Sequence, residues 1–123
     1  MLEVETAWHK QALRALDITT NQARALRKRA LIDDLKRGVR QGAYWGIMTE
    51  IGAYGLPDPL PVPAAKTRAL AAIRTRLNPF SEQEQGELIN WGYALCDAAM
   101  RRHVLREPVP PPAWPDPAYR LDR

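Results

Sequence analysis

Several residue types and patterns are scarce in this chain of 123 residues, and each scarcity excludes a class of protein. A single cysteine, Cys96, excludes an internal disulfide framework and any zinc site built from several cysteines. Charges or prolines interrupt every apolar stretch well before the roughly 18 residues that a membrane-spanning helix needs. The N-terminus lacks the apolar core of a signal peptide, so we expect a cytoplasmic protein.

Acidic residues are scarce in one segment of an otherwise balanced chain. The whole chain has 18 Lys and Arg against 14 Asp and Glu, a formal net charge of +4 and a pI near 9.6. Between residues 21 and 40, seven basic residues stand against two acidic ones, whereas the remainder carries 11 basic and 12 acidic residues. Six of these basic residues are candidate contacts for an anionic surface: Arg24, Arg27, Lys28, Arg29, Lys36 and Arg37.

The basic segment has three interpretations. In a helix, Arg24 and Lys28 share a face while Arg29 and Lys36 point elsewhere, so charge encircles the helix. A helix dedicated to nucleic acid gathers its basic residues on one side, and no zinc-finger or RNA-binding signature accompanies this one. We favour a solvated helix of a larger fold, with attraction to anionic lipid as the alternative and nucleic acid as the least supported reading.

The order of helix-forming and helix-breaking residues predicts a mostly α fold with one short β segment. The proline-free N-terminal part predicts helices over about 6–16 and 21–37, with a β-branched break at 17–20 and a stop at Gly38. A short aromatic run at 44–48 predicts a buried strand, which needs either a second copy of the chain or a sheet from other sequence to pair its backbone. Alternate prolines over 57–63 predict an extended crossing.

Two more helices and a tail complete the prediction. The first helix spans 64–73, and the second begins after Ser81, an N-cap that forms a capping box with Glu84. Residues 108–117 contain six prolines and predict an extended, loose tail, so we divide the chain into a domain over 1–106 and a tail over 107–123. The apolar stripe of the last helix comprises Leu88, Gly92, Leu95, Cys96, Ala99 and Met100, and its last turn holds Arg101, Arg102 and His103.

Three sequence blocks resemble the C-terminal part of bacterial patatin-like phospholipases. They are Asn-Gln-Ala-Arg-Ala-Leu-Arg-Lys-Arg at 21–29, Gly-Ala-Tyr-Trp-Gly-Ile at 42–47, and Leu-Ile-Asn-Trp-Gly-Tyr-Ala-Leu-Cys-Asp at 88–97, continuing into Arg-Arg-His-Val at 101–104. Tyr-Gly-Leu at 54–56 and Thr-Arg-Leu at 75–77 fit the same order. The likeness covers about residues 12–104, and the Asn-Trp-Gly-Tyr part is its most specific element.

The resemblance implies an α/β acyl hydrolase with a Ser–Asp dyad, of which this chain is the segment after the catalytic aspartate. Family members carry the serine in G-x-S-x-G and the aspartate in D-G-[GA]. Neither motif occurs here, because Ser81 is the single serine and no aspartate precedes a glycine. The resemblance therefore assigns no catalytic residue and no cofactor to this chain, and it implies one strand and covering helices for a sheet formed elsewhere.

The remaining chemically active side chains have structural interpretations. We expect Cys96 to be a small buried hydrophobe, His103 a partner of the helix dipole, and Asp97 an ion-pair partner of Arg101. Glu82, Glu84 and Glu87 lack the companions of a metal site, so we interpret them as a solvated helix start. Trp45, Trp91 and Tyr93 are interpreted as core packing, with an acyl pocket as the alternative.

Two functional hypotheses follow from the sequence. The first is the C-terminal structural segment of a patatin-like lipid acyl hydrolase, inactive alone, whose partner is the catalytic half or a second copy. The second is a freestanding small basic helical protein that binds an anionic membrane or an acidic partner. A decayed gene product without function is a third possibility.

Overall fold

Helix dominates the computed structural model, which describes residues 8–75 and 78–123. The α-helices are α1 (Trp8–Lys36), α2 (Ala64–Ala71) and α3 (Glu82–His103). Short 3-10 helices lie at Ile51–Tyr54 and Pro117–Tyr119. The described residues contain no strand. The prediction of a mostly α fold is therefore confirmed, and the predicted β segment is wrong.

The segment predicted as a strand forms a turn instead. The Gly46 N–H donates to Thr49 Oγ1 at 2.9 Å, and the Thr49 N–H donates to the Gly46 carbonyl at 3.0 Å. Ile47 and Met48 lie inside this turn and are 48% and 66% exposed. Within the turn the backbone pairs with Thr49, and the carbonyls of Tyr44 and Ile47 accept from the side chains of Tyr54 and Trp91, so this segment needs no partner sheet.

In the part of the N-terminal unit that the structure describes, residues 8–40, the chain forms α1 and its C-terminal turn. The break predicted at 17–20 is wrong, because α1 is continuous through it, and the Thr19 hydroxyl donates to the Ala15 carbonyl at 2.8 Å along the helix. The predicted start at residue 6 lies outside the described residues. None of the residues of α1 is buried.

Gly38 ends α1, as predicted. Its φ of +73° lies in the left-handed region, which glycine adopts without a steric penalty. The Val39 N–H reaches back to the Asp34 carbonyl at 2.9 Å, and the Gly38 N–H reaches the Leu35 carbonyl at 3.3 Å. These paired bonds form a Schellman motif, which satisfies carbonyls that the helix end would leave open.

The second unit, residues 41–123, is built around α3. The predicted capping box at Ser81 and Glu84 is present, and the short helix predicted over 64–73 is α2. The predicted stripe on α3 holds only in part, since Leu95 and Ala99 are buried whereas Gly92 is exposed and Cys96 is half-buried. The buried apolar residues of this unit are Ile51, Tyr54, Leu60, Leu70, Trp91, Ala94, Leu95, Ala98, Ala99 and Leu121.

The C-terminal tail is extended, as predicted, but it is not loose. Leu121 is fully buried, and Trp114 packs against the same core. The tail therefore belongs to the second unit, and the chain divides after Arg40 rather than after residue 106. The sequence pattern missed this because six prolines in ten residues resemble a terminus without a packing role.

Gly86 provides a test of how tightly the tail packs. A Cβ at residue 86 would lie 2.7 Å from Cγ and 3.0 Å from Cβ of Tyr119, atoms near the backbone that cannot swing away. We expect Gly86→Ala to lower the free energy of unfolding by about 1–3 kcal/mol in urea titrations.

Gly92→Ala is the matched control on the same helix. Nothing lies within 4 Å of a Cβ at that position, so we expect no loss, and a gain of about 0.5–1 kcal/mol from helix propensity. Equal effects of the two substitutions would contradict the close packing of Tyr119 on α3.

Candidate functional site

The candidate anionic-surface contacts all lie exposed on α1 or just after it. Four of them, Arg24, Arg27, Arg29 and Lys36, make no hydrogen bond or ion pair with the described residues. Helix geometry places Arg24 and Lys28 one turn apart, whereas Arg29 and Lys36 lie on another side. The structure therefore brings the six residues onto one helix but not onto one face.

The C-terminal end of the basic segment is partly neutralised. Arg40 Nε donates to Asp34 Oδ2 at 3.1 Å, and Arg37 Nη2 lies 3.9 Å from Asp34 Oδ1. One carboxylate thus serves two arginines, and of the six candidates Arg37 has an acidic neighbour at this distance. Among the described residues, Arg24, Arg27, Arg29 and Lys36 carry the unpaired charge of the basic segment.

Arg101 forms the most enclosed ion pair of the second unit. Its guanidinium donates to Asp97 Oδ2 at 3.0 Å, as the sequence predicted, and to Asp58 Oδ1 at 2.8 Å. The Arg101 side chain is 11% exposed. Burial works against the cation, but the hydrogen bonds to Asp58 and Asp97 outweigh it and raise the pKa of Arg101 above its ordinary value. Asp58 was missed because it lies far away in sequence, in the proline-rich crossing.

A depression of about 350 Å³ adjoins this ion pair. Apolar side chains at Leu56, Leu105 and Val109 contribute to its wall, together with Arg101. The guanidinium is already held by two carboxylates, and the depression has no nucleophile with a base beside it among its lining residues. Its geometry supports packing rather than catalysis.

Ser81 is occupied as a helix cap. Its hydroxyl accepts from the Glu84 N–H at 3.1 Å, while Glu84 Oε2 accepts from the Ser81 N–H at 2.8 Å. Arg74 Nη1 donates to Glu84 Oε1 at 2.6 Å, and this bond, followed by the Ser81 backbone, lowers the pKa of Glu84 below its ordinary value of 4.5. A shallow depression of about 690 Å³ lies beside these residues. It offers no activated serine, because the Ser81 oxygen is engaged with the backbone.

The three aromatic residues with an acyl pocket as their alternative interpretation have different surroundings. Trp91 is 2% exposed, and its Nε1 donates to the Ile47 carbonyl at 3.0 Å, so it is a core residue as predicted. Trp45 packs partly buried against the same core. Tyr93 is 40% exposed on the outer side of α3, so its predicted place in the core is wrong.

Asn90 is the functional side chain that the sequence analysis missed. It is fully buried in α3, and its Nδ2 donates to the carbonyls of Asp116 and Tyr119, both at 2.8 Å. Its Oδ1 accepts from the Asp116 N–H at 2.9 Å. A single amide thus binds the backbone of the tail at three points. The missed signal was an asparagine on the same side of the helix as buried apolar residues.

The other reactive side chains do not assemble into a site. Among the described residues, no three His, Cys, Asp or Glu side chains are grouped so that they could hold a metal ion. The ring of His103 packs edge-on against the ring of Tyr54, with the two ring centroids 5.9 Å apart. Cys96 is half-buried rather than buried as predicted. None of the helices in the described ranges is long and apolar enough to cross a membrane.

Comparison with known proteins finds no family model, no curated protein and no solved structure that matches this chain.

Replacing the Asn90 amide by a carboxylate tests its hold on the tail. We expect Asn90→Asp to lower the free energy of unfolding by about 2–4 kcal/mol at neutral pH, because a buried charge would face two carbonyl oxygens without donating to them. Urea titration measures the loss, and limited proteolysis should cut residues 108–117 faster.

Asn78→Asp makes the same chemical change at an exposed position and should alter stability little. If the two variants were equally stable, the tail would not depend on Asn90.

The lowered pKa of Glu84 predicts that this carboxylate stabilises the fold and that the stabilisation is lost in acid. Because its folded pKa is lowered, its contribution is present above the ordinary value of 4.5 and is lost as the pH falls through the folded pKa. We expect Glu84→Gln to reduce the urea midpoint at pH 7 and to converge with the unmodified chain in acid.

Glu82→Gln is the control in the same helical turn, since Glu82 makes no ion pair or hydrogen bond with the described residues. If the urea midpoint of Glu84→Gln stayed equally far below that of the unmodified chain in acid, the ionised carboxylate of Glu84 would not be the source of the stabilisation.

Proposed function

We propose that this chain is the C-terminal segment of a patatin-like acyl hydrolase and that it serves as scaffold. The parent protein would cleave acyl esters of phospholipids or related lipids with a Ser–Asp dyad supplied by other sequence. This assignment depends on the resemblance of three sequence blocks, and we place the parent in the cytoplasm, at the periphery of a membrane.

The observation that carries the proposal is that two of the three resembling blocks, 42–47 and 88–97, and the piece 54–56 lie in one unit and are joined by hydrogen bonds. Trp91, in the block 88–97, donates to the carbonyl of Ile47, the last residue of the block 42–47. The Tyr54 hydroxyl, in the piece 54–56, donates to the carbonyl of Tyr44 in the same block at 3.0 Å. The resembling residues after Arg40 thus belong to one packed unit around α3.

The chemistry of the described residues fits a scaffold. Acyl transfer needs an activated nucleophile, a base within hydrogen-bond reach and donors directed at the developing oxyanion. The single serine is a helix cap, and Arg101 is held by two carboxylates. These residues supply structure, which is why we expect no hydrolysis by the chain alone.

Helix α1 also fits a segment of a larger protein. A solitary helix is weakly stable in water, and most helices gain their stability by packing one face. No residue of α1 is buried, so the helix has a face that a further surface can cover. The strand implied by the family is absent from the described residues, so the sheet of the parent would come entirely from other sequence.

Activity-based labelling of the source cells tests the proposal. An extract is treated with a fluorophosphonate probe, which reacts with catalytic serines, and is then immunoprecipitated with an antibody against residues 82–103. We expect a labelled band well above 13.9 kDa, while the purified chain and its Ser81→Ala variant both stay unlabelled. Heat-denatured extract is the control for labelling that requires a folded active site.

Two results would contradict the proposal. One is a single unlabelled band near 13.9 kDa, which would favour the freestanding protein. The other is turnover of a p-nitrophenyl acyl ester by the purified chain that Ser81→Ala abolishes, because the chain would then be an enzyme itself.

A further inference from the structure

Helix α1 carries an uncharged seam along most of its length. At 100° per residue, Trp8, Ala12, Leu16, Ala23 and Leu26 fall within an arc of about 80°. Trp8 is 72% exposed, and Leu16 and Leu26 are each 63% exposed. The members of the seam are Trp8, Ala12, Leu16, Thr19, Ala23, Leu26 and Ala30.

Four basic side chains lie outside the arc of the seam, two on each side of it, whereas Lys10, Arg14 and Lys28 lie on the opposite side of the helix. Arg27 and Arg29 lie beyond opposite edges of the arc, and Arg24 and Lys36 lie further round. Asp17 lies on the other side of the helix, about 140° from the centre of the seam. The seam ends at Ala30, after which Asp33 and Asp34 return to this side of the helix.

The charge of α1 decides which occupant suits the seam. Seven basic residues against three acidic ones give the helix a net charge of +4, so a second copy would bring like charges together. Nucleic acid would use the cations but would leave Trp8, Leu16 and Leu26 in water. An anionic lipid surface suits both the cations and the apolar side chains of α1. The apolar side chains enter the interface, while the long arginine and lysine side chains extend to the headgroups.

We propose that α1 is a binding helix for anionic lipid surfaces, with the seam toward the bilayer and Arg24, Arg27, Arg29 and Lys36 on the phosphates. The four cations are free for this role because none of them pairs with the described residues. The inference is independent of the acyl-hydrolase proposal, since it depends on the residues of α1 alone.

Vesicle co-sedimentation of the full chain is the test. We expect binding to vesicles of phosphatidylcholine with phosphatidylglycerol, little binding to phosphatidylcholine alone, and weakening at high salt. Replacing Arg24, Arg27, Arg29 and Lys36 together by Gln should weaken binding at least about 25-fold, because each basic residue near an anionic leaflet contributes about fivefold and two of them flank the seam directly.

A matched control removes the same charge from the second unit. Arg68, Arg102, Arg106 and Arg123 are exposed and can likewise be replaced together by Gln. We expect this control to bind almost as well as the unmodified chain. Equal losses in the two quadruple variants would overturn the proposal, because net charge rather than α1 would then govern binding.

The seam is tested separately from the charge. Leu16→Gln with Leu26→Gln should weaken vesicle binding at least about tenfold, because two exposed leucines would no longer enter the interface. Circular dichroism shows whether α1 stays helical in these variants. If vesicle binding is insensitive to both leucines, and a labelled oligonucleotide binds as tightly as the vesicles, α1 is a general polyanion binder and the lipid proposal fails.

Discussion

The second unit of the protein depends on one buried amide. Asn90 lies within the apolar surface of α3, where an unpaired polar group would be costly, and it pairs both of its polar atoms with the backbone of the tail. This pairing brings Leu121 into the core and seats Tyr119 against Gly86. The helix and the tail therefore stabilise each other, because neither buries its surface alone.

The two units handle charge in opposite ways. In the second unit the cations nearest the core are paired, as in Arg101 with Asp58 and Asp97, and in Lys66 with Glu87 at 2.6 Å. Burial raises the pKa of Glu87, but the hydrogen bonds from Lys66 and Gln83 outweigh this and leave it lowered. On α1, by contrast, Arg24, Arg27, Arg29 and Lys36 are unpaired among the described residues. The cations nearest the core of the second unit are thus held in ion pairs, whereas these cations of α1 are exposed to solvent.

What the sequence predicted well was local. The capping box at Ser81 and Glu84, the stop at Gly38 and the pair of Asp97 with Arg101 each involve residues within a few positions, where spacing alone sets the geometry.

What it missed depended on tertiary contacts or on weak propensities. The hydrogen bonds of Asn90 to the tail span more than 25 residues, and no spacing rule reveals them. The β-branched residues at 17–20 have a propensity too small to break a continuous helix. The short aromatic run at 44–48 suits a strand and a turn equally well, since periodicity does not separate them.

The proline content of the tail reduces the conformational entropy that the tail loses when it docks on α3. Proline fixes one backbone dihedral before the protein folds, so a segment with six prolines in ten residues loses less conformational entropy on docking than an ordinary chain would. Few contacts then suffice to hold it, and those made by Asn90 reach the backbone rather than the side chains. Apart from Trp114, Tyr119 and Leu121, which pack against α3 or the core, the side chains of the tail are consequently free to change in composition, provided that the stiffness of the segment and its position along α3 are kept.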